Sequence, residues 1–173
     1  MEHQKNIGKV HISQHSGIFT LEVEQILPIT LFEAWNFFSR PENLAEITPS
    51  EMGFKITSGK PGQMYAGQII SYKINIIPGI KSSWVTEITQ VKNLEYFIDE
   101  QRFGPYKMWH HEHHFFEMES GTLMKDKVSY KIPLGFLGKI VHSLLIKRKL
   151  VHIFSYRINK LDNIFKHQKI KIT

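Results

Sequence analysis

From Gly53 to Pro133 the chain reads as strand after strand joined by short links, and one long amphipathic helix follows. That order constrains the fold more than any other feature. The strands are expected around 54 to 57, 63 to 77, 82 to 91, 94 to 103, 107 to 117 and 122 to 132. The turn signals between them are "IIPGIK", "KN", "GPY" and "ESGT". Links this short predict sequential antiparallel hairpins, since parallel neighbours need long crossovers. From 139 to about 166, Ile140, Leu144, Lys147, Val151, Phe154, Ile158, Leu161 and Phe165 recur at helical spacing, a stripe wide enough to cover a sheet.

Ahead of the meander, "IFTLEVEQIL" (18 to 27) alternates at period two and is stopped by Pro28. Thr30 and Glu33 form a capping-box pair, and "LFEAWNFF" supplies a short amphipathic helix with Trp35 and Phe38 turned to the core. Ser39 and Glu42 repeat the signal, which predicts a second short helix through "PENLAEI" that Pro49 stops. The class is therefore α+β, with one domain over 17 to 167 and tails at 1 to 16 and 168 to 173. At 173 residues the chain is long enough for one real core.

Composition removes several function classes. There is no cysteine, so neither thiolate metal ligands nor a cysteine nucleophile enter. The formal charge of +6 is spread along the chain, and its densest run, Lys147-Arg148-Lys149, reads as a solvated helix face. No nucleic-acid partner is expected. The N-terminal stretch lacks an apolar signal-peptide core, and no run approaches the roughly 18 apolar residues of a membrane span. The expectation is a cytoplasmic protein without a membrane span, its oligomeric state left open.

Pairing the strands about their turn centres sorts the side chains by face. A hairpin over Gly104-Pro105-Tyr106 sets Phe103 opposite Lys107, Gln101 opposite Trp109, Asp99 opposite His111 and Phe97 opposite His113. The next, over Met118 to Gly121, sets His113 opposite Asp126, His111 opposite Val128 and Trp109 opposite Tyr130. The Lys92-Asn93 turn aligns Trp84, Thr86 and Ile88 with Gln101, Asp99 and Phe97, and the turn at 78 to 80 brings in Ile74, Tyr72 and Ile70. The opposite face carries Lys73, Glu87, Glu100, Arg102, Lys125, Lys127 and Lys131 and must meet water, so the first set faces the helix. The stretch "MWHHEHHFF" divides accordingly. His110, Glu112 and His114 form an outer polar coat, and Trp109, His111, His113 and Phe115 point inward.

The segments "NLAEITP", "FIDEQRFGPYKMWHHEHHF", "GTLMKDKVSY", "PLGFLG" and "IFSYR" together resemble the START-like (SRPBCC) superfamily, in particular its bacterial polyketide-cyclase-like ligand-binding subgroup. The resemblance spans roughly residues 18 to 165. It implies a helix-grip fold, a curved antiparallel sheet wrapped around the C-terminal helix, enclosing a cavity for a hydrophobic or amphipathic small molecule. Trp109, His111, His113 and Phe115, with Phe97, Asp99, Gln101 and Asp126, match the subgroup's pattern, and His110 and His114 depart from it on the outer face. Membership does not settle chemistry, because the superfamily holds binders, carriers, cyclases and hydrolases.

The inner residues suggest the site. Tyr72, Trp84, Trp109, Phe115 and Tyr130 offer apolar contact area; Asp99, Gln101, His111, His113 and Asp126 offer polar groups that orient a ligand. A second reading makes His111 or His113 a general base held by Asp99 or Asp126, in a cyclase or dehydratase without a covalent intermediate. Two histidines at i and i+2 could join Asp99 or Asp126 around a metal, but each histidine already has a carboxylate neighbour and the inner face offers no third histidine; no metal and no cofactor is expected. The plainest alternative is that the two pairs only satisfy each other across the sheet. A regulatory role through a protein partner is a further possibility. Trp35 and Phe38 read as core, Gly104, Gly135 and Gly138 as turn and helix-entry residues, and Arg157 and Lys160 as the wet side of the helix.

Overall fold

Eight strands make one antiparallel sheet, and the computed structural model describes residues 7 to 77, 80 to 133 and 142 to 169. The strands are β1 (His11–His15), β2 (Ile18–Leu27), β3 (Lys55–Ile56), β4 (Gln68–Ile77), β5 (Ile80–Lys92), β6 (Tyr96–Phe103), β7 (Met108–Met118) and β8 (Gly121–Lys131). Helix α1 (Leu31–Phe38) and two 3₁₀ turns (Pro41–Ala45 and Ser50–Met52) follow β2. Helix α2 (Lys147–Lys169) follows a π-turn at His142–Ile146. The sheet order is β1-β2-β8-β7-β6-β5-β4-β3, so the meander from β3 to β8 runs in sequence and β2 pairs with its last strand. No helix among the described residues is long and apolar enough to cross a membrane.

The register follows the expected one where the turns are tight. His113 faces Asp126, His111 faces Val128 and Trp109 faces Tyr130 across β7 and β8. Phe97 faces His113 and Asp99 faces His111 across β6 and β7, but that ladder stops at Glu100 and His110, so the expected Gln101–Trp109 and Phe103–Lys107 pairs do not form. Across β5 and β6 the pairing is displaced by two residues, with Thr86 opposite Gln101 and Ile88 opposite Asp99, and irregularities flank this section. Two features combine to give this displacement: the connection is longer than the two-residue turn expected, with Lys92 pairing Tyr96 and Leu94 left-handed at φ 63°, which shifts the register by three, and the irregularity between Ile88 and Gln90 takes one residue back. A shift of two preserves the face, and the inner set survives it.

Three sequence expectations change. The stretch expected to be an N-terminal tail is strand from His11, paired with β2 so that Ile12 faces Leu21. Ser16 and Gly17, both at positive φ (51° and 79°), make the two-residue turn between these strands, and the "SG" dipeptide is the signal for it. The Ser39–Glu42 capping box does not form. Ser39 instead ends α1, its backbone N–H bonding to the Trp35 carbonyl, and Pro41 opens only a 3₁₀ turn. Thr30 and Glu33 do close theirs: the Glu33 N–H donates to Thr30 Oγ1 (3.2 Å) and the Thr30 N–H to Glu33 Oε2 (2.9 Å).

The terminal helix is the third. A π-turn widens the start of the helix and offsets its phase there, so the expected stripe fails at Leu144 and Lys147 and holds farther on at Phe154, Leu161 and Phe165. Leu144 is exposed, and the buried line is Ile146, Leu150, Phe154, Arg157, Leu161 and Phe165. The expected entry at Gly135, Gly138 and Ile140, and the turn at 78 to 79, lie outside the described residues. The lower half of the helix is clamped to the sheet by Gln25, whose amide donates to the Ile158 carbonyl and to Asp162 Oδ1, both at 2.9 Å.

Candidate functional site

The helix covers the inner face unevenly. Leu161 and Phe165 pack down with Trp35, Phe97 and Phe115 into a filled core at one end. Toward the other end the wall of β4 to β7, α1, the 3₁₀ turns and α2 surround a cavity that opens partly to solvent. Ile70, Ile74 and Ile88 line its sheet side, and Leu150, Ile153 and Phe154 line its helix side. The aromatic wall is continuous: Tyr72 stacks on Trp84 at 5.8 Å, and Trp84 meets Trp109 edge-on at 5.3 Å.

Of the residues singled out in the sequence, Tyr72, Trp84, Asp99, Trp109, His111 and His113 line this cavity. Phe115 and Tyr130 lie in the packed core, buried at 2% and 0% exposure, and Asp126 lies beneath the histidines. Gln101 turns away. Its amide donates to the Tyr106 carbonyl (2.6 Å) and its oxygen accepts from the Tyr106 N–H (3.2 Å), so it braces the turn between β6 and β7. The outer histidines form a lattice with charged neighbours, His110 with Glu100 at 2.9 Å and His114 with Glu112 at 3.0 Å, part-exposed contacts that contribute little.

The polar floor is one cluster rather than two pairs. His111 Nδ1 and His113 Nε2 approach the same oxygen, Asp99 Oδ2, at 3.4 and 3.2 Å. Their other ring nitrogens, His111 Nε2 and His113 Nδ1, approach Asp126 Oδ1 at 3.3 and 2.7 Å. The reason is strand geometry: residues i and i+2 on β7 share a face, and the carboxylates stand on the two neighbouring strands. The Thr86 hydroxyl donates to Asp99 Oδ1 at 3.3 Å.

Arg157 completes the cluster. Expected on the wet side of α2, it is 8% exposed, with Nη1 3.4 Å from Asp126 Oδ2 and its guanidinium 4.8 Å from the Phe154 ring centre. Its place in the buried stripe Leu150, Phe154, Arg157, Leu161 is the signal that would have found it: a cation at a core position needs a buried carboxylate. Tyr106 was also missed as a wall residue, since "GPY" reads first as a turn; it is buried 4.8 Å from Trp109.

Charge inside the cluster is uneven. Burial raises the Asp126 carboxyl, but the two imidazoles outweigh burial and hold it well below its ordinary value; Asp99 is held down by the same balance. Burial disfavours both imidazolium ions. At His111 it wins, with help from the His113 charge, and the pKa falls; at His113 the flanking carboxylates win, and it rises. Burial and the Asp99 charge push the Tyr72 phenol well above its ordinary range, so it stays a neutral donor. On residues of the cavity wall, the Trp84 indole N–H and Arg157 Nε are buried with no protein acceptor among the described residues, and so are His111 Nε2 and His113 Nδ1, whose close approach to Asp126 lies outside hydrogen-bond geometry.

No family model matches the chain, and no curated protein matches it. Solved structures do. Protein Ms6760 from Mycobacterium smegmatis aligns at TM-score 0.63 and 16% identity over 92% of this chain and 99% of that one. A Rhodobacter sphaeroides protein aligns at TM-score 0.64 and 14% identity, again over 92% and 99%. The crystal structure of Ara h 8.0201 aligns at TM-score 0.56 and 17% identity over 84% and 98%. The chain has a helix-grip fold. At these identities the likeness speaks of the helix-grip architecture alone.

Proposed function

We propose that this helix-grip chain binds a hydrophobic or amphipathic small molecule between the sheet and the C-terminal helix, in the manner of the polyketide-cyclase-like ligand-binding subgroup it resembles. The observation that carries the reading is a cavity with aromatic and aliphatic walls and one convergent polar floor at Asp99, His111 and His113. The unpaired Trp84 and Arg157 donors favour a ligand that brings an acceptor, because an unmet buried donor is costly. The test uses 1-anilinonaphthalene-8-sulfonate as probe. Wild type takes up the dye saturably, and Ile153→Trp, which fills the chamber from the helix side, binds it at least tenfold more weakly while keeping its urea midpoint. Equal binding by a folded Ile153→Trp would remove the cavity from the account.

One observation favours a second reading, acid–base catalysis without a covalent intermediate. Two imidazoles whose ring centres lie 3.7 Å apart share the cavity floor with the Asp99 carboxylate, a set of groups that can take up and return a proton. Native mass spectrometry of the purified protein identifies a co-purified molecule. Supplied in excess, that molecule is converted by wild type under this reading, and His111→Ala and His113→Ala abolish turnover. Recovery of the molecule unchanged, with the variants altering affinity only, assigns the histidines to binding.

A further inference from the structure

We propose that Asp99 Oδ2, His111 Nδ1 and His113 Nε2 form a three-ligand site for a divalent first-row transition-metal ion on the cavity floor, with the remaining coordination open to the chamber. The spacing fits. The carboxylate oxygen stands 3.4 and 3.2 Å from the two nitrogens, and one donor atom of each residue lies within 4.8 Å of the others. Ligands about 2.0 to 2.1 Å from a tetrahedral ion sit about 3.3 Å from one another. The three donors stand on β6 and β7, central strands that hold them rigidly, which a preformed site needs.

The far side of each ring is also arranged for a metal. A ligating imidazole usually gives its second N–H to a carboxylate, which fixes the tautomer and the ring plane. Asp126 Oδ1 lies behind both rings, 3.3 and 2.7 Å from their far nitrogens though outside hydrogen-bond geometry, so a small turn of either ring would let it take that N–H, and Arg157 holds the other oxygen of the same carboxylate. Asp126 is 1% exposed and does not line the cavity, whereas Asp99 and both histidines do. The two carboxylates thus divide the work: Asp99 binds and Asp126 positions.

The near nitrogens of the two rings converge on one carboxylate oxygen, Asp99 Oδ2, so an ion at that point meets two nitrogens and one carboxylate. Two nitrogens and one carboxylate suit Zn²⁺, Co²⁺ or Fe²⁺, whereas Mg²⁺ and Ca²⁺ prefer all-oxygen shells. The open position would accept an oxygen of a cavity ligand, which deepens the cavity reading without depending on it.

The purified full chain, stripped with a chelator, is titrated with ZnCl₂ by calorimetry and with CoCl₂ by visible absorption, with no organic ligand present. We expect one equivalent to bind, with the d–d bands of a low-coordinate Co²⁺ ion, and Asp99→Asn to weaken binding at least tenfold. His113→Gln should show the same loss and serves if Asp99→Asn does not fold, with circular dichroism checking both. Absence of one-equivalent uptake by wild type overturns the site, and so does uptake unchanged in folded Asp99→Asn and His113→Gln, which would place the ion on other histidines. Because the dye assay contains no metal, wild type that binds the dye but no ion rejects the metal centre and leaves the cavity reading standing.

Discussion

Asp126→Ala should lower unfolding stability by about 3–5 kcal/mol, the cost of leaving a buried cation without its anion. The carboxylate is fully buried, and its partners come from two elements: His111 and His113 on β7 and Arg157 on α2. Removing it strands a guanidinium that is 8% exposed and takes away the anion that both imidazoles face. The measurement is a urea unfolding curve, read as a shift in midpoint at unchanged slope. The paired change Asp126→Leu with Arg157→Met should recover much of the loss, since replacing a buried ion pair by apolar side chains is often close to neutral. A single variant that unfolds at the wild-type midpoint would show that the cluster does not hold the helix to the sheet. A pair no more stable than the single variant would show that the cost lies in the histidines instead.

The same residues show why one part of the site was legible in the sequence and another was not. Alternation along β6, β7 and β8 assigns Asp99, His111, His113 and Asp126 to one face, and the tight turn at Met118–Gly121 sets the register that places His113 beside Asp126. Period two cannot say how far a side chain reaches. Each imidazole therefore spans both carboxylates, and the two expected pairs are one cluster. Arg157 escaped because its side chain is judged by charge, while its position in the stripe Leu150, Phe154, Leu161 is judged by spacing, and here the spacing governs. Gln101 was assigned by parity to the inner face, but a strand that ends at a turn lets its last side chains fold back onto the backbone, and Tyr106 takes both ends of its amide. The β1 strand was missed for a simpler reason. Its residues are mostly exposed at a sheet edge, so burial writes no alternation into them, and only the Ser16-Gly17 turn marks the hairpin.

Trp35→Ala should cost about 3–5 kcal/mol, the range for truncating a large aromatic in a well-packed core. Trp35 is 2% exposed and meets Phe97 and Phe115 edge-on, at 6.2 and 5.8 Å between ring centres. It joins three elements at the filled end of the sheet: α1, which carries it, β6 through Phe97 and β7 through Phe115. Those strands also carry Asp99, His111 and His113, two to four residues away and on the cavity side of the core. Trp35 does not line the cavity, although Phe37 and Phe38 on the same helix do. Trp35→Ala and Ile153→Trp should therefore separate two quantities. Trp35→Ala lowers the urea midpoint and leaves dye affinity, measured well below the unfolding transition, within a few-fold of wild type; Ile153→Trp does the reverse. A Trp35→Ala protein that stays as stable as wild type but loses the dye would make the tryptophan a wall of the chamber, and α1 rather than the terminal helix would then determine what enters it.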